Sequence, residues 1–249
     1  MTENRRVAFV TGGAGSFGSE IARRLDADGC RVVVADIDAD RADAVAAELN
    51  DGVGLQLDLA SESSVRSGIA SVGERLGRLD VLVNNAGIAP QGDTGTTTTE
   101  DFDRTVAINL RGAFLTCSAA WSMLIASPSP RVVMTGSRTW LAGGNPAYSA
   151  TKAGLIGLCR SVTQDLAPYG GTCNVVAPGP VDTPFVDAMG FGDTRGPAFV
   201  RYAAMTPLKR LATPQDIAEA VAFFASDRAS FITGDILNVA GGLHLAPKL

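Results

Sequence analysis

The sequence predicts an α/β fold in which helices cover both faces of a seven-stranded parallel sheet. Short apolar runs alternate with longer amphipathic segments along the chain, which is the pattern of repeated strand–helix–strand units. A hydrophobic share of 46% is consistent with strands that are buried on both faces. Because α/β chains of 249 residues commonly form one unit, we expect a single domain over residues 1–249.

Strands are expected at the short valine-containing apolar runs, and helices at the amphipathic segments between them. Threonine is a good N-cap and proline suits the first helical position, so Thr213 and Pro214 mark the start of the last helix. The predicted strands span residues 7–10, 31–35, 53–57, 81–83, 131–134, 172–177 and 236–239. The predicted helices span residues 16–28, 39–50, 61–76, 101–126, 148–167 and 214–224.

Residues 184–212 form a long connection that is rich in glycine, proline and aromatic residues. Long connections inside compact domains tend to be functional or disordered. Because Phe185, Met189 and Phe191 give this segment an apolar character, we expect a mobile lid over an apolar substrate. A surface insertion with small helices of its own is the alternative.

Composition and charge exclude several classes of function. A net charge of −5, without a run of Lys and Arg, disfavours nucleic acid or an anionic membrane as a partner. Neither a signal peptide nor an apolar stretch long enough to span a bilayer is found. Cys30, Cys117, Cys159 and Cys173 are scattered, which predicts free thiols in a reducing cytoplasm. With His244 as the single histidine, we expect no metal site and no Ser/His/Asp triad.

A glycine-rich turn, residues 11–18, directly follows the first predicted strand. Backbone N–H groups in such a turn can approach a pyrophosphate, and the N-terminus of the following helix favours its negative charge. The turn therefore predicts a dinucleotide site, although a turn of this kind also occurs for purely structural reasons.

Asp36 ends the second predicted strand, eighteen residues after Gly18. A carboxylate there can accept hydrogen bonds from the adenosine ribose and repel a 2′-phosphate. Ile37 follows it, Asp38 adds negative charge, and the glycine-rich turn holds no Lys or Arg. These features predict NAD rather than NADP as the cofactor. The alternative is that Asp36 only caps the end of a strand or helix.

Tyr148 and Lys152 lie four residues apart, and therefore on the same face of a helix. An ammonium group near a phenol favours its ionised form, which would let Tyr148 act as an acid and base near neutral pH. The pair alone is weak evidence, because short motifs also arise by chance. Ser137, eleven residues before Tyr148, and Asn109 strengthen the interpretation.

Together with residues 84–87 and 178–183, this pattern resembles the short-chain dehydrogenase/reductase family over almost the whole chain. The resemblance implies a doubly wound Rossmann fold, a homotetramer, and Asn109, Ser137, Tyr148 and Lys152 as catalytic residues. Ser137 would bind the substrate oxygen, Asn109 would anchor a water, and Lys152 would hold the nicotinamide ribose. The implied cofactor contacts are Gly12, Gly15, Ser16, Phe17, Gly18, Asp36, Ile37, Asp58, Leu59, Asn85, Ala86, Gly87, Tyr148, Lys152, Pro178, Gly179, Val181 and Thr183.

One position of the glycine-rich turn departs from the family pattern. The family's middle glycine would fall at position 16, where this chain has Ser16, and Gly15 stands one place earlier. The departure affects the local path of the backbone, and a serine hydroxyl can itself bind a phosphate.

The sequence thus predicts an NAD-dependent oxidoreductase that interconverts a secondary alcohol and a ketone. Trp140, together with the aromatic residues of the lid, favours a small or medium substrate that is cyclic or apolar. Arg138 would bind an anionic group if it points inward, and the alternative is that it faces solvent.

Three other functions stay open. An NADPH-dependent ketone or 3-oxoacyl reductase would use the same catalytic residues, and Asp36 argues against it. A methyltransferase shares the glycine-rich turn and the acidic residue but has no use for Tyr148 and Lys152. A non-catalytic dinucleotide sensor is disfavoured because all four catalytic residue types are present.

Overall fold

A computed structural model describes residues 5–189 and 192–245 and shows one parallel sheet of seven strands. The strand order is β3-β2-β1-β4-β5-β6-β7, so the chain first winds outward in one direction and then returns to the middle of the sheet to wind in the other. The predicted fold class is confirmed. The strands are β1 (Val7–Thr11), β2 (Arg31–Asp36), β3 (Val53–Gln56), β4 (Val81–Asn84), β5 (Arg131–Thr135), β6 (Thr172–Pro178) and β7 (Ile236–Val239).

Helices pack on both faces of the sheet because successive strand residues point to opposite sides. Phe9 and Leu82 face a core that is covered by α3, α5 and α7, whereas Val10 and Val83 face a second core under α1, α2 and α9. The α-helices of the described residues are α1 (Ser16–Ala27), α2 (Ala39–Ala47), α3 (Glu62–Leu76), α4 (Thr99–Val106), α5 (Gly112–Ala126), α6 (Thr139–Ala142), α7 (Pro146–Leu166), α8 (Arg195–Met205) and α9 (Pro214–Ala225).

The largest difference from the predicted helices concerns residues 101–126. The single helix expected there is divided into α4, a π-helical turn at Ala107–Arg111, and α5. Asn109 lies in the π-helical turn, and its side-chain oxygen accepts a hydrogen bond from the backbone N–H of Ile88 at 2.8 Å. Such turns are frequent at functional sites and cannot be seen in the apolar period.

Among the other predicted helices, two ends differ by more than one residue, for local reasons. Helix α7 begins two residues before the predicted start, because Pro146 is its first residue and the side chain of Asn145 caps it. Helix α2 ends three residues early, because Asn50 turns away to donate to the carboxylate of Asp26 at 2.7 Å. The predicted N-cap at Thr213 is confirmed and forms a full capping box with Asp216.

The connection 184–212 contains short helices of its own. Such helices are a feature of the surface insertion that is the predicted alternative to a mobile lid. These are 3-10 turns at Pro184–Met189 and Gly192–Thr194, followed by α8. The predicted apolar residue Phe191, and the side chain of Met189, lie outside the part of the chain that the structure describes.

A buried carboxylate, Asp80, holds the amino ends of two central strands together. It accepts hydrogen bonds from the backbone N–H of Val7 at 2.8 Å, from Ser127 Oγ at 2.6 Å and from Arg78 Nη2 at 2.8 Å. Burial acts to raise the pKa of Asp80, but these hydrogen bonds outweigh it, and the pKa lies below the usual value. The stability that Asp80 contributes is therefore lost as the pH falls through this lowered pKa.

Three predictions about composition can be compared with the described residues. All four cysteines are buried and unpaired, which confirms the free thiols. Within residues 5–189 and 192–245, no cluster of His, Cys, Asp and Glu is suited to hold a metal ion. No helix in the same ranges has both the length and the apolarity that are needed to cross a bilayer.

Candidate active site

A cavity of about 650 Å³ lies at the carboxyl ends of the central strands. Its walls come from the ends of β1 to β6 and the loops that follow them, so it lies where the strand order reverses between β1 and β4. Ligands of open α/β sheets bind at this switch point, because the loops on either side of it diverge.

The glycine-rich turn forms one wall of the cavity. Gly12 has a positive φ of 60°, and a Cβ atom on Gly18 would lie 2.0 Å from the Gly12 carbonyl oxygen. Gly18 therefore lets α1 begin directly beneath the turn, and it does not line the cavity itself. Helix α1 has no side-chain cap and no acidic residue in its first turn, which leaves N–H groups free at its N-terminus. The turn residues that line the cavity are Thr11, Gly12, Gly15, Ser16 and Phe17.

Asp36 lines the cavity beside this turn and is hydrogen-bonded to it. Its Oδ2 accepts from the backbone N–H of Ala14 at 3.0 Å, and its Oδ1 accepts from that of Asp38 at 3.2 Å. Arg41 Nη2 donates to the Ala14 carbonyl at 2.8 Å and also lines the cavity. Both polar groups of the Ala14 backbone are therefore held, one by Asp36 and one by Arg41.

Sequence reasoning missed Arg41, because it considered only the glycine-rich turn and Ile37 as places for a cation. Ile37 is 64% exposed at the rim of the cavity. Arg41 lies in the first turn of α2, five residues after Asp36. The first turn of α2 brings the side chain of Arg41 back over the end of β2. The predicted helix start at residue 39 already implied this position for Arg41.

The next part of the wall follows β3 and β4. Asn85 Nδ2 donates to the carbonyls of Thr11 and Gly12 at 3.0 and 3.2 Å, which ties this loop to the glycine-rich turn. A Cβ atom on Gly87 would lie 3.3 Å from Asn109 Oδ1 and 3.4 Å from Lys152 Nζ, so a side chain here would crowd the polar ends of both residues. The predicted residues that line this part are Asp58, Leu59, Asn85, Ala86 and Gly87, and those not predicted are Leu57, Ile88, Arg104 and Ile108.

Tyr148, Lys152 and Ser137 meet at the other end of the cavity. Tyr148 and Lys152 are both buried on α7, and Lys152 Nζ lies 5.4 Å from the centre of the Tyr148 ring. Ser137 follows β5, and its Oγ accepts from the backbone N–H of Thr139 at 3.2 Å. The same serine is hydrogen-bonded to the phenol oxygen of Tyr148. A substrate oxygen can therefore be held between a hydroxyl and a phenol.

The pKa values at this site differ from the expectation. Burial raises the pKa of Tyr148 to about 12, although the hydrogen bond with Ser137 acts in the opposite direction. Burial also lowers the pKa of Lys152 to about 8. Lys152 Nζ donates to the carbonyl of Thr135 at 2.7 Å, so its ammonium group is directed to the end of β5 instead of the phenol oxygen. The protein by itself therefore keeps Tyr148 protonated at neutral pH.

Asn109 is buried behind the cavity and does not line it. Its Nδ2 donates to the Ile88 carbonyl at 2.8 Å and to Thr151 Oγ1 at 3.2 Å. Thr151 in turn donates to the backbone carbonyl of Tyr148 at 2.8 Å. The amide of Asn109 therefore joins the loop after β4 to the helix that carries Tyr148.

The end of the cavity around Tyr148 is mostly apolar. Phe185 contacts the Tyr148 ring with 6.0 Å between the ring centres, and Arg138 lies over the ring of Tyr202 at 5.9 Å. Trp140, in α6, does not line the cavity, and its indole N–H is buried without a hydrogen-bond partner among the described residues. The lining residues of this end beyond β6 are Pro178, Gly179, Pro180, Val181, Thr183, Pro184, Phe185, Val186, Phe199 and Tyr202.

Comparisons with known proteins agree with this arrangement. A model of the family described as Enoyl-(Acyl carrier protein) reductase matches residues 12–244. A short-chain dehydrogenase/reductase from Armillaria gallica is 37% identical over 249 residues, which cover 96% of this chain and 95% of that protein. The chain belongs to the short-chain dehydrogenase/reductase family.

Two further members have more specific names. A cis-4-hydroxycyclohexanecarboxylate dehydrogenase from Sinomonas cyclohexanicum is 39% identical over 246 residues, covering 95% of this chain and 96% of that protein. The crystal structure of a 3-ketoacyl-(acyl-carrier-protein) reductase from Brucella melitensis, complexed with NADH, has a TM-score of 0.90 at 28% identity. That similarity covers 96% of this chain and 98% of the reductase.

The short-chain dehydrogenase/reductase family consists of oxidoreductases that act on CH–OH groups and bind a nicotinamide dinucleotide. The cavity fits such a cofactor on its own chemistry. The uncapped N-terminus of α1 offers N–H groups to a pyrophosphate, and the Asp36 carboxylate offers acceptors to a ribose.

Proposed function

We propose that the protein is an NAD-dependent oxidoreductase that interconverts a secondary alcohol and a ketone, with Tyr148 as the acid and base. The observation that carries this proposal is that Tyr148, Lys152 and Ser137 line the same cavity as the glycine-rich turn and Asp36. Proton transfer and cofactor binding then take place in one continuous space, as an exchange of hydride between substrate and cofactor requires.

Each catalytic side chain has a role that follows from its contacts. Ser137 and Tyr148 hold the substrate oxygen, and the protonated phenol gives its proton to that oxygen when a ketone is reduced. In the reverse direction the phenolate accepts the proton of the alcohol. Lys152 places a positive charge 5.4 Å from the Tyr148 ring, and Asn109 holds α7 in position through Thr151. We propose these four as the catalytic group of the chain.

NAD is the proposed cofactor, because Asp36 lines the cavity at the end of β2, and a carboxylate there can accept from an adenosine ribose and would repel a 2′-phosphate. When bound, the nicotinamide accepts or gives the hydride. Residues 12–18 would hold the pyrophosphate, Asp58 and Leu59 the adenine, and residues 85–87 the region between the adenine and the nicotinamide. Lys152, the loop 178–181 and Thr183 would hold the nicotinamide ribose and carboxamide.

One observation favours a second candidate, an NADPH-dependent ketone or 3-oxoacyl reductase. Arg41 lines the cavity next to Asp36, so a cation is available for a 2′-phosphate if its hydrogen bond to Ala14 breaks. In the NAD proposal this hydrogen bond persists, and the role of Arg41 is to hold the glycine-rich turn.

The proposed substrate is small or medium in size, and cyclic or apolar. Phe185, Val186 and Phe199 give the end of the cavity near Tyr148 apolar walls. The relative from Sinomonas cyclohexanicum is named for a substrate with a six-membered ring, cis-4-hydroxycyclohexanecarboxylate. These three apolar residues all belong to residues 184–212, which we propose to be the substrate lid of a single domain over residues 1–249.

We also propose a homotetramer that works in the cytoplasm, with a small-molecule substrate and neither nucleic acid nor membrane as a partner. Phe114 on α5 is 53% exposed, and Phe231 before β7 is fully exposed. Large apolar side chains on a surface favour contacts with other copies. Sedimentation of Phe114→Glu and Phe231→Glu should show smaller species than the parent protein.

Cofactor binding tests the proposal before any substrate is known. NAD, NADH, NADP and NADPH would be titrated against the purified protein by tryptophan fluorescence and thermal shift. Tight binding of NAD and NADH alone supports the proposal, and a panel of cyclic secondary alcohols then follows. A preference for NADPH supports the second candidate. Failure of all four to bind would contradict the proposal and favour the methyltransferase alternative.

A further inference from the structure

Arg138 is a cation at the substrate end of the cavity, and no polar partner for its side chain is found in residues 5–189 and 192–245. It directly follows Ser137, and its backbone N–H donates to the Pro178 carbonyl at 2.9 Å, which fixes the start of its side chain. Among the described residues, its guanidinium makes no hydrogen bond or ion pair, and its neighbour is the ring of Tyr202 at 5.9 Å. The side chain is partly buried and lines the cavity.

The charge at this end of the cavity is one-sided. Arg138 and Lys152 are the charged side chains among the described residues that line it, and neither has a carboxylate beside it there. Of the acidic residues that line the cavity, Asp36 ends β2 and Asp58 follows β3, and both lie at the opposite end. A guanidinium that is partly removed from water is stabilised by an acidic partner, and the described residues lining this part of the wall do not supply one.

Because adjacent Cα atoms are about 3.8 Å apart, Arg138 and Ser137 present their side chains from neighbouring anchor points. One of them contacts the reacting oxygen in the proposed function, and the other can contact a second group on the same small molecule. The planar guanidinium of Arg138 suits a carboxylate, which it can bind through two parallel hydrogen bonds. The flat face of the Tyr202 ring holds the guanidinium in place by a cation–π contact.

We propose that Arg138 binds a carboxylate of the substrate, so that the substrate is a cyclic hydroxy acid or the matching oxo acid. This inference rests on the proposed function, because it identifies the substrate class of the same site. The ring lies against Phe185, Val186 and Phe199, the alcohol oxygen lies between Ser137 and Tyr148, and the acid group lies against Arg138.

The test measures binding without requiring turnover. Three ring acids that cannot react, cyclohexanecarboxylate, benzoate and phenylacetate, would be titrated by calorimetry against the protein with and without saturating NADH. The corresponding amides serve as neutral controls of similar shape. We expect at least one acid to bind roughly 10-fold to 100-fold more tightly than its amide, which is the range for hydrogen bonds to charged groups.

Substitutions test whether Arg138 causes the preference for the acid over its amide. Arg138→Met removes the charge and keeps much of the length, and should reduce the preference for acid over amide to less than about threefold. Arg138→Lys keeps the charge without the planar geometry and should retain part of the preference. Arg201→Met is the matched control, because Arg201 lies on the same helix as Tyr202, is exposed and does not line the cavity.

The outcomes separate this inference from the proposed function. If none of the acids binds more tightly than its amide, or if Arg138→Met keeps the full preference, Arg138 does not bind the acid group. If the acids bind through Arg138 but no cyclic secondary alcohol, acidic or neutral, is oxidised with NAD, the proposed function fails while the anion site stands.

Discussion

The carboxylate of Asp36 accepts a hydrogen bond from the backbone N–H of Ala14, with 3.0 Å between Oδ2 and the nitrogen. The residue that we propose to choose between cofactors is therefore also a residue that holds the glycine-rich turn. Arg41 holds the same peptide from the other side through the Ala14 carbonyl. Substitutions at Asp36 consequently act on cofactor choice and on the shape of the turn together.

Replacing Asp36 with Ser and Ile37 with Arg should raise the ratio of NADP to NAD affinity by at least tenfold. The double variant removes the carboxylate that repels a 2′-phosphate and adds a cation at the exposed rim of the cavity. A serine hydroxyl can still accept from Ala14, so the turn should keep its shape. Titration of both cofactors gives the ratio, and Asp40→Asn, an exposed carboxylate on α2, is the control.

The role of Arg41 can be separated in the same experiment. If Arg41 holds the turn, Arg41→Ala should weaken NAD and NADP by similar factors of about three to ten, because its hydrogen bond is partly exposed to water and supports the turn without contacting the cofactor. A selective loss of NADP binding would instead assign Arg41 to the 2′-phosphate and support the NADPH-dependent candidate.

Tyr148→Phe should reduce turnover by at least a thousandfold while the affinity for NADH changes less than about threefold. The substitution removes only the phenol oxygen, so the proton donor is lost and the contact with Phe185 persists. Steady-state rates and NADH titration provide the two measurements. Appreciable turnover by the variant would remove Tyr148 from the proposed mechanism.

The strands and most helices could be predicted because burial on two faces requires apolar residues in continuous runs. Asn109 and Asn145 show where this reasoning ends. Their roles depend on hydrogen bonds between segments that are distant in the sequence, and no local pattern encodes such bonds. Asn109 is bonded to residue 88, and Asn145 to residues 92 and 97. The loop after Ser137, with Trp140, is predicted to border the substrate, but Trp140 lies in α6 and does not line the cavity.

Asn145 is a positioning residue that sequence reasoning missed, and its side chain has two kinds of contact. Its oxygen accepts from the backbone N–H of Tyr148 at 3.1 Å, which caps α7. Its nitrogen donates to the Gly92 carbonyl and to Thr97 Oγ1, both at 3.1 Å. The helix that carries Tyr148 is thereby tied to the loop after β4.

Asn145→Ala should lower the free energy of unfolding by about 1 to 2 kcal/mol, the usual cost of a lost N-cap. Asn145→Asp keeps the cap but loses the donor to the loop, so it should restore the stability but only part of kcat. Urea unfolding and steady-state rates check the two effects. Equal rates for the Asp variant and the parent protein would show that the contact with the loop plays no part in turnover.

Lys152 is a buried cation that lowers stability at neutral pH. Burial lowers its pKa from 10.5 to about 8, so the folded protein disfavours the charged form that the unfolded chain prefers. The difference corresponds to about 3 kcal/mol when the pH is below 8. Between pH 8 and 10 the unfolded state binds more protons than the folded state, so the free energy of unfolding rises with pH. The raised pKa of Tyr148 has the opposite effect, but only above pH 10, where an unfolded tyrosine ionises.

Lys152→Met should therefore unfold at a higher urea concentration than the parent protein at pH 7, although it should be inactive. The gain should be smaller than the full 3 kcal/mol, since the buried carbonyl of Thr135 loses its hydrogen bond. Relative to Lys152→Met, the parent protein should recover up to about 1.4 kcal/mol per pH unit between pH 8 and 10. Lys209→Met removes the same charge from the surface and should leave this slope unchanged. A parent slope equal to that of Lys152→Met would mean that Lys152 carries its charge in the folded protein as readily as in the unfolded chain, and that another group must account for any difference in stability.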